Sequence, residues 1–199
     1  MTHPILHLFA GPNGAGKSTL YRALVDSGTL DRGLVFVNAD LYEQSHLQNI
    51  ADLQKRSEAA REWADAQREA LMEDKLGFVS ETVFSHESKL SLVSHAQSLG
   101  YHVVLYIVSV NNPQQLLARV RQRVQEGGHH VPPRRILERY PRTMANLKKA
   151  VRLADLALVY DGAEVERGAH SLVAVCKGAQ TTLLVKKLPP WATAMLVAD

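Results

Sequence analysis

The sequence predicts an α/β fold, a parallel five-stranded sheet with helices on both faces followed by a C-terminal β-hairpin. Three observations carry this. Short apolar runs alternate along the chain with helix-period patterns. The runs are nearly continuous in hydrophobic residues, as strands covered on both faces are. No Gly/Ser linker, internal repeat or low-complexity tract interrupts the alternation, so residues 1–199 read as one domain.

Strands are expected at residues 5–9, 34–38, 77–81, 101–110 and 156–160. Helices are expected at 16–25, 49–74, 87–99, 113–126 and 133–154. Within the second helix Ala59, Trp63, Ala66 and Ala70 recur at steps of 4, 3 and 4, which reads as a core stripe. Residues 171–176 and 181–186 flank a turn of Lys177, Gly178, Ala179 and Gln180 and read as an antiparallel hairpin, within about 170–188, that extends or covers a sheet edge. In a parallel sheet of this kind the functional residues belong beyond the carboxyl ends of the strands.

Composition narrows the class. The chain is 46% hydrophobic and 22% charged, a globular balance that a disordered or fibrous chain lacks. The longest apolar run, residues 101–110, is half of the ~20 residues a membrane helix needs, which argues against a membrane partner. No Lys or Arg precedes the first apolar stretch, against a secretory signal. Cys176 is the lone cysteine, which fits a reducing cytoplasm. Net charge is +3, but residues 111–152 hold ten Arg or Lys against Glu126 and Glu138. That concentration points to an anion, either a nucleoside triphosphate or nucleic acid.

One motif separates these. After the first strand come Gly11, Pro12, Asn13, Gly14, Ala15, Gly16, Lys17 and Ser18, a match without exception to G-x-x-x-x-G-K-[ST], with a strand before it and a helix after. Gly11, Gly14 and Gly16 let successive backbone N–H groups converge on phosphate oxygens. The helix that follows aims its free N–H groups and positive dipole end at the same anion. Lys17 is expected on the β- and γ-phosphates of ATP and Ser18 on Mg²⁺, with Thr19 continuing the helix and touching phosphate.

Two acids stand at strand ends on the same edge: Asp40, after Val-Phe-Val-Asn-Ala, and Glu81, after Gly-Phe-Val-Ser. Either suits the base or orienting carboxylate that a hydroxyl acceptor requires, and either could reach the Mg²⁺ waters. Asp161 is a third candidate, read mainly as a turn residue before Gly162. The basic segment reads as a lid over approximately 119–142. Arg119, Arg121 and Arg123 lie on one helix, Arg134, Arg135, Arg139 and Arg142 on the next, and Gly127, Gly128, His129 and His130 fall between. One Arg from each helix would clamp the triphosphate as the lid closes. Tyr140 is the single aromatic in this segment, which argues against a base-stacking platform and so against a nucleic-acid partner.

Taken as a set, Gly-Pro-Asn-Gly-Ala-Gly-Lys-Ser-Thr, Val-Asn-Ala-Asp40, Ser-Glu81-Thr-Val-Phe-Ser and Gly-Gly-His-His-Val-Pro with Arg139-Tyr140 resemble the zeta toxin kinases, over residues 5–191. The resemblance implies a P-loop NTPase fold of the nucleoside-monophosphate-kinase type. It implies an enzyme that moves the γ-phosphate of ATP, with Mg²⁺, to a hydroxyl of a small-molecule acceptor such as UDP-N-acetylglucosamine. It makes Lys17 and Ser18 the phosphate and metal residues, Asp40 the base on the acceptor, and Glu81 with Thr82 the acidic acceptor-binding segment. Its two γ-phosphate arginines become Arg123 and Arg139, with Arg119 and Arg135 as alternatives, and it implies an antitoxin protein as partner. The chain has Tyr160, Asp161 and Gly162 where short relatives often carry an Asp-Asn-Ser-like sequence, so the acceptor stays open among nucleotide sugars, nucleosides, antibiotics and 5′-hydroxyl polynucleotide ends. A non-catalytic, nucleotide-gated binding module is the reading from another class.

Overall fold

The computed structural model describes residues 3–126, 131–164 and 170–197; the expected lid tip, Gly127 to His130, lies outside them. In chain order the elements are β1 (Ile5–Ala10), α1 (Lys17–Asp26), β2 (Val35–Val37), α2 (Ala39–His46), α3 (Leu53–Glu73), β3 (Phe78–Thr82), α4 (Ser88–Ser98), β4 (His102–Ser109), α5 (Pro113–Gln125), α6 (Pro133–Leu153), β5 (Leu156–Asp161), β6 (Ser171–Lys177), β7 (Gln180–Leu183) and α7 (Pro190–Leu196). The strands form one sheet in the order β2-β3-β1-β4-β5-β6-β7. The first five in that order are mutually parallel, and β6 and β7 continue the sheet antiparallel beyond β5. The hairpin thus extends the edge, with a register shift opposite Val159 and Tyr160 that leaves Val173 of β6 as the extra residue.

Alternation along the strands divides the core in two. Leu6, Leu8 and Ala10 of β1, with Val103, Leu105 and Ile107 of β4, pack on one face against residues of α3, α4, α6 and α7 such as Met72, Val93, Leu147 and Trp191. Phe9, Val104, Tyr106 and Val108 point the other way, toward Leu20 of α1 and Leu116 and Val120 of α5. The central strands β1 and β4 are therefore covered on both sides, which is why they carry so few polar residues.

Several details differ from the sequence reading. Residues 39–46 form a helix of their own, α2, capped by Asn38, whose Oδ1 accepts the Leu41 N–H at 3.1 Å. The long helix begins only at Leu53, where Asp52 accepts from the N–H groups of Gln54 and Lys55. Its buried residues are Ala60, Ala64, Arg68, Leu71 and Met72; of the expected Ala59, Trp63, Ala66 and Ala70, Trp63 is half-buried against the core, while Ala66 and Ala70 are exposed. The buried face includes an arginine. Arg68 is 4% exposed and donates to Ser80 Oγ at 3.1 Å while pairing with Asp65. α7 was not expected at all, though Pro190 stands at its start as at many helix N-termini.

Candidate active site

β1 is the middle of the five parallel strands, and the loop leaving its carboxyl end carries the Gly-Lys-Ser motif. Gly11 has φ 150°, and a Cβ there would stand 2.0 Å from the Val108 carbonyl oxygen, so the loop can lie against β4 only because this residue has no side chain. Gly16 ends the loop in the left-handed region, φ 102°, and caps α1. Lys17 is 6% exposed, and its ammonium donates to the Pro12 carbonyl at 3.2 Å. A curled glycine-rich loop opening onto a helix N-terminus, with a lysine folded over it, has the geometry to cradle phosphate.

Sheet order brings Glu81 into this loop. β3 lies directly beside β1 with Glu81 opposite Phe9 and Thr82 opposite Ala10. The Glu81 carboxylate sits 3.6 Å from the Lys17 ammonium, and its Oε2 accepts from Ser18 Oγ at 2.8 Å and from Asn38 Nδ2 at 3.0 Å. Burial pushes its pKa above the usual carboxylate value, against the opposing pull of Lys17 and Ser18, and Asp40 adds to the rise. Asn38 thus does two jobs with one amide: its oxygen caps α2, and its nitrogen fixes the start of that helix to Glu81. Asp40 follows in the first turn of α2.

These groups face a cleft of about 1020 Å³ between the loop, α2 and α3 on one side and the start of α6 on the other. Lys17, Asp40, Glu81, Thr82, Arg135 and Arg139 all line it. Burial, then the guanidiniums of Arg135 and Arg61, push the Arg139 pKa down, and Asp40 opposes them. Arg61, Arg68 and Lys89 line its far wall, and Asp65 pairs with both Arg68 and Lys89. Nothing local marks these three, Arg61 and Arg68 on α3 and Lys89 on α4, because isolated Arg and Lys on a helix look like any solvated surface. Only the fold brings the two helices to one cleft.

The α5 arginines stand elsewhere. Arg119 and Arg123 do not line the cleft. Arg119, expected on substrate, donates to the Ala163 carbonyl at 2.9 Å and so braces the segment after β5. Arg123 remains near enough to Glu81 to favour its ionised form. His170, beside the same segment, contacts the Gly16 carbonyl through Nε2 at 3.0 Å. Asp161 is structural: its Oδ1 accepts from the Trp191 indole N–H at 3.2 Å, tying α7 to the end of β5.

The sequence profile of the zeta toxin family matches residues 1–170, that is, everything before β6. A protein of Haemophilus influenzae described only as uncharacterized is 28% identical over 141 residues, spanning 66% of this chain and 89% of its own. Among solved structures, a chain from the PezAT chromosomal toxin–antitoxin system of Streptococcus pneumoniae superposes with a TM-score of 0.59 at 14% identity, over 81% of this chain and 69% of that one. A chain from the AvrRxo1-ORF1:ORF2 complex with ATP superposes with a TM-score of 0.67 at 19% identity, over 92% of this chain and 61% of that one. No helix among the described residues is long and apolar enough to cross a membrane.

Proposed function

The chain belongs to the zeta toxin family and is an ATP-dependent phosphotransferase, and from that premise we propose that it phosphorylates a hydroxyl of a nucleotide sugar, UDP-N-acetylglucosamine being the first candidate. One observation supports this above the rest: Lys17, Asp40, Glu81 and Arg139, drawn from four separate elements, line a single cleft.

In this reading the loop of residues 11–18 cradles the ATP phosphates and Lys17 leaves the Pro12 carbonyl for the β- and γ-phosphates. Asp40, across the cleft, takes the proton of the acceptor hydroxyl as its oxygen attacks the γ-phosphorus in line. Arg139 and Arg135 offset charge on the transferring group. Ser18 Oγ and the Glu81 carboxylate are hard oxygen donors side by side next to the phosphate cradle, a donor set that suits Mg²⁺. When bound there, Mg²⁺ would be held by Ser18 and Glu81 and would neutralise phosphate charge. Arg61, Arg68 and Lys89 on the far wall supply cations beyond those ATP needs, which suits an acceptor with phosphates of its own. Family membership also supports an antitoxin protein partner that covers the nucleotide site.

Phosphorus NMR of the purified protein with ATP, Mg²⁺ and UDP-N-acetylglucosamine tests the reading. A new sugar phosphomonoester is expected, and Asp40→Asn should slow its formation by about 10² to 10⁴ while ATP affinity survives. Absence of the new resonance removes that acceptor; turnover untouched by Asp40→Asn removes the base.

A further inference from the structure

Just past β3 the backbone is strained. Phe84 has φ 64°, in the left-handed region, although it is a bulky residue and fully buried. That conformation is unfavourable for a non-glycine residue and persists only where its surroundings over-determine it. The surroundings here are three side chains. Thr82 Oγ1 accepts the Phe84 N–H at 3.3 Å. Thr143 Oγ1 donates to the Val83 carbonyl at 3.1 Å, and Asn146 Nδ2 donates to the Phe84 carbonyl, also at 3.1 Å. Thr143 and Asn146 are buried polar residues on a helix whose neighbouring positions, Leu147 and Ala150, belong to the apolar core. Two hydrogen-bonding side chains among apolar neighbours on α6 call for a reason, and the two carbonyls are their partners.

Residues 82–85 all line the cleft. On α6 the cleft-facing Arg135, Arg139 and Arg142 and the buried Asn146 follow at steps of 4, 3 and 4, a single helical stripe. The helix that presents the arginines is therefore the same helix that grips the strained segment, with Pro141 between the two groups.

We propose that Thr143 and Asn146 are positioning residues: they lock residues 82–85 into the wall of the acceptor side and hold that wall in register with Arg135 and Arg139. This rests on the reading of the cleft as a kinase site. Removing either donor leaves a buried carbonyl unsatisfied and releases the strained turn, so the wall shifts relative to Asp40 while the phosphate loop keeps its own bonds.

Thr143→Val keeps the shape and deletes the donor; Thr143→Ser restores it. Hydrogen exchange read by mass spectrometry should show residues 82–85 exchanging about tenfold faster in Thr143→Val, with residues 11–18 unchanged, as expected when a buried carbonyl loses its donor. With ATP and UDP-N-acetylglucosamine the acceptor KM should rise about 5- to 20-fold and the ATP KM by less than about twofold, a split that general loosening of the fold would not produce. Thr143→Ser should return both readouts to within about threefold of the parent. Unchanged exchange at 82–85, equal rises in both KM values, or a serine variant that fails to restore them overturns the proposal. Asn146→Ala, which frees the Phe84 carbonyl instead, is read the same way if Thr143→Val does not fold. If the parent transfers nothing to UDP-N-acetylglucosamine, the acceptor assignment alone fails, and the exchange comparison of the Val and Ser variants decides this proposal by itself.

Discussion

Glu81 shows what a single residue owes to its neighbours. Its position at a strand end was readable, because an acid following Gly-Phe-Val-Ser breaks an apolar run. Its partners were not, because the contact with Ser18 spans 63 residues and exists only because β3 is inserted between β2 and β1. Sequence reading accordingly leaves open which acid orients the Mg²⁺ waters; the 2.8 Å bond to Ser18 puts Glu81, not Asp40, beside the expected metal residue. If Ser18 and Glu81 act as one unit, their substitutions must be non-additive. Ser18→Ala and Glu81→Gln should each slow transfer by about 10² or more, and the double variant should be little slower than either. Steady-state rates at saturating ATP measure this directly. A double variant whose loss is the product of the two single losses would mean that the hydroxyl and carboxylate work apart.

At the scale of elements, type and order were legible and facing was not. The five parallel strands declare themselves as apolar runs bounded by polar turns, but the buried face of α3 is legible only in part: Trp63 packs against the core as expected, whereas Ala66 and Ala70 are exposed and Arg68 is buried. Its burial becomes intelligible only with Ser80 and Asp65 beside it. The lid arginines posed the same problem: spacing grouped them correctly into two helices, yet nothing local says that α6 faces the cleft and α5 the back of the phosphate loop. That back is a tight junction. A Cβ at Gly162 would lie 2.4 Å from the Ala15 carbonyl oxygen and 3.2 Å from Val108 Cγ1, so the end of β5 presses directly on the phosphate loop. Backbone cannot retreat as a flexible side chain would. Gly162→Ala should therefore cost about 1 to 3 kcal/mol of stability by overpacking and weaken ATP binding about tenfold or more. Gly33→Ala, whose nearest neighbour is the Asp31 carboxylate at 3.4 Å, should stay within about 0.5 kcal/mol. Calorimetric titration with ATP on both variants distinguishes them; equal affinity would show that the loop does not lean on β5.

The whole molecule is organised around β1, which supplies the phosphate loop at one end and the axis of both cores along its length. Its remaining polar side chain, His7, makes that axis sensitive to pH. His7 Nδ1 and the Tyr106 hydroxyl are 3.1 Å apart, and Tyr106 in turn stacks on Phe9 at a centroid separation of 4.4 Å. Burial lowers the His7 pKa to about 4 from an ordinary value of 6.5 and raises that of Tyr106 to about 12. The sign follows. Between those two histidine values the unfolded chain binds a proton that the folded chain refuses, so stability falls as pH drops through the interval and levels off below the folded value. From pH 7.5 to 5 the full linkage would be about 2 kcal/mol; since His7 is only partly buried, about 1 kcal/mol is the sounder figure. For a domain of this size that is a loss of about 2 to 4 °C in Tm beyond whatever the carboxylates contribute. His7→Phe removes the titrating ring and should flatten the slope by that amount, which thermal melts of parent and variant at the two pH values will reveal as a difference of differences. Parallel slopes would mean that the centre of the sheet admits the proton freely, and that the acid sensitivity of the fold resides in its surface acids instead.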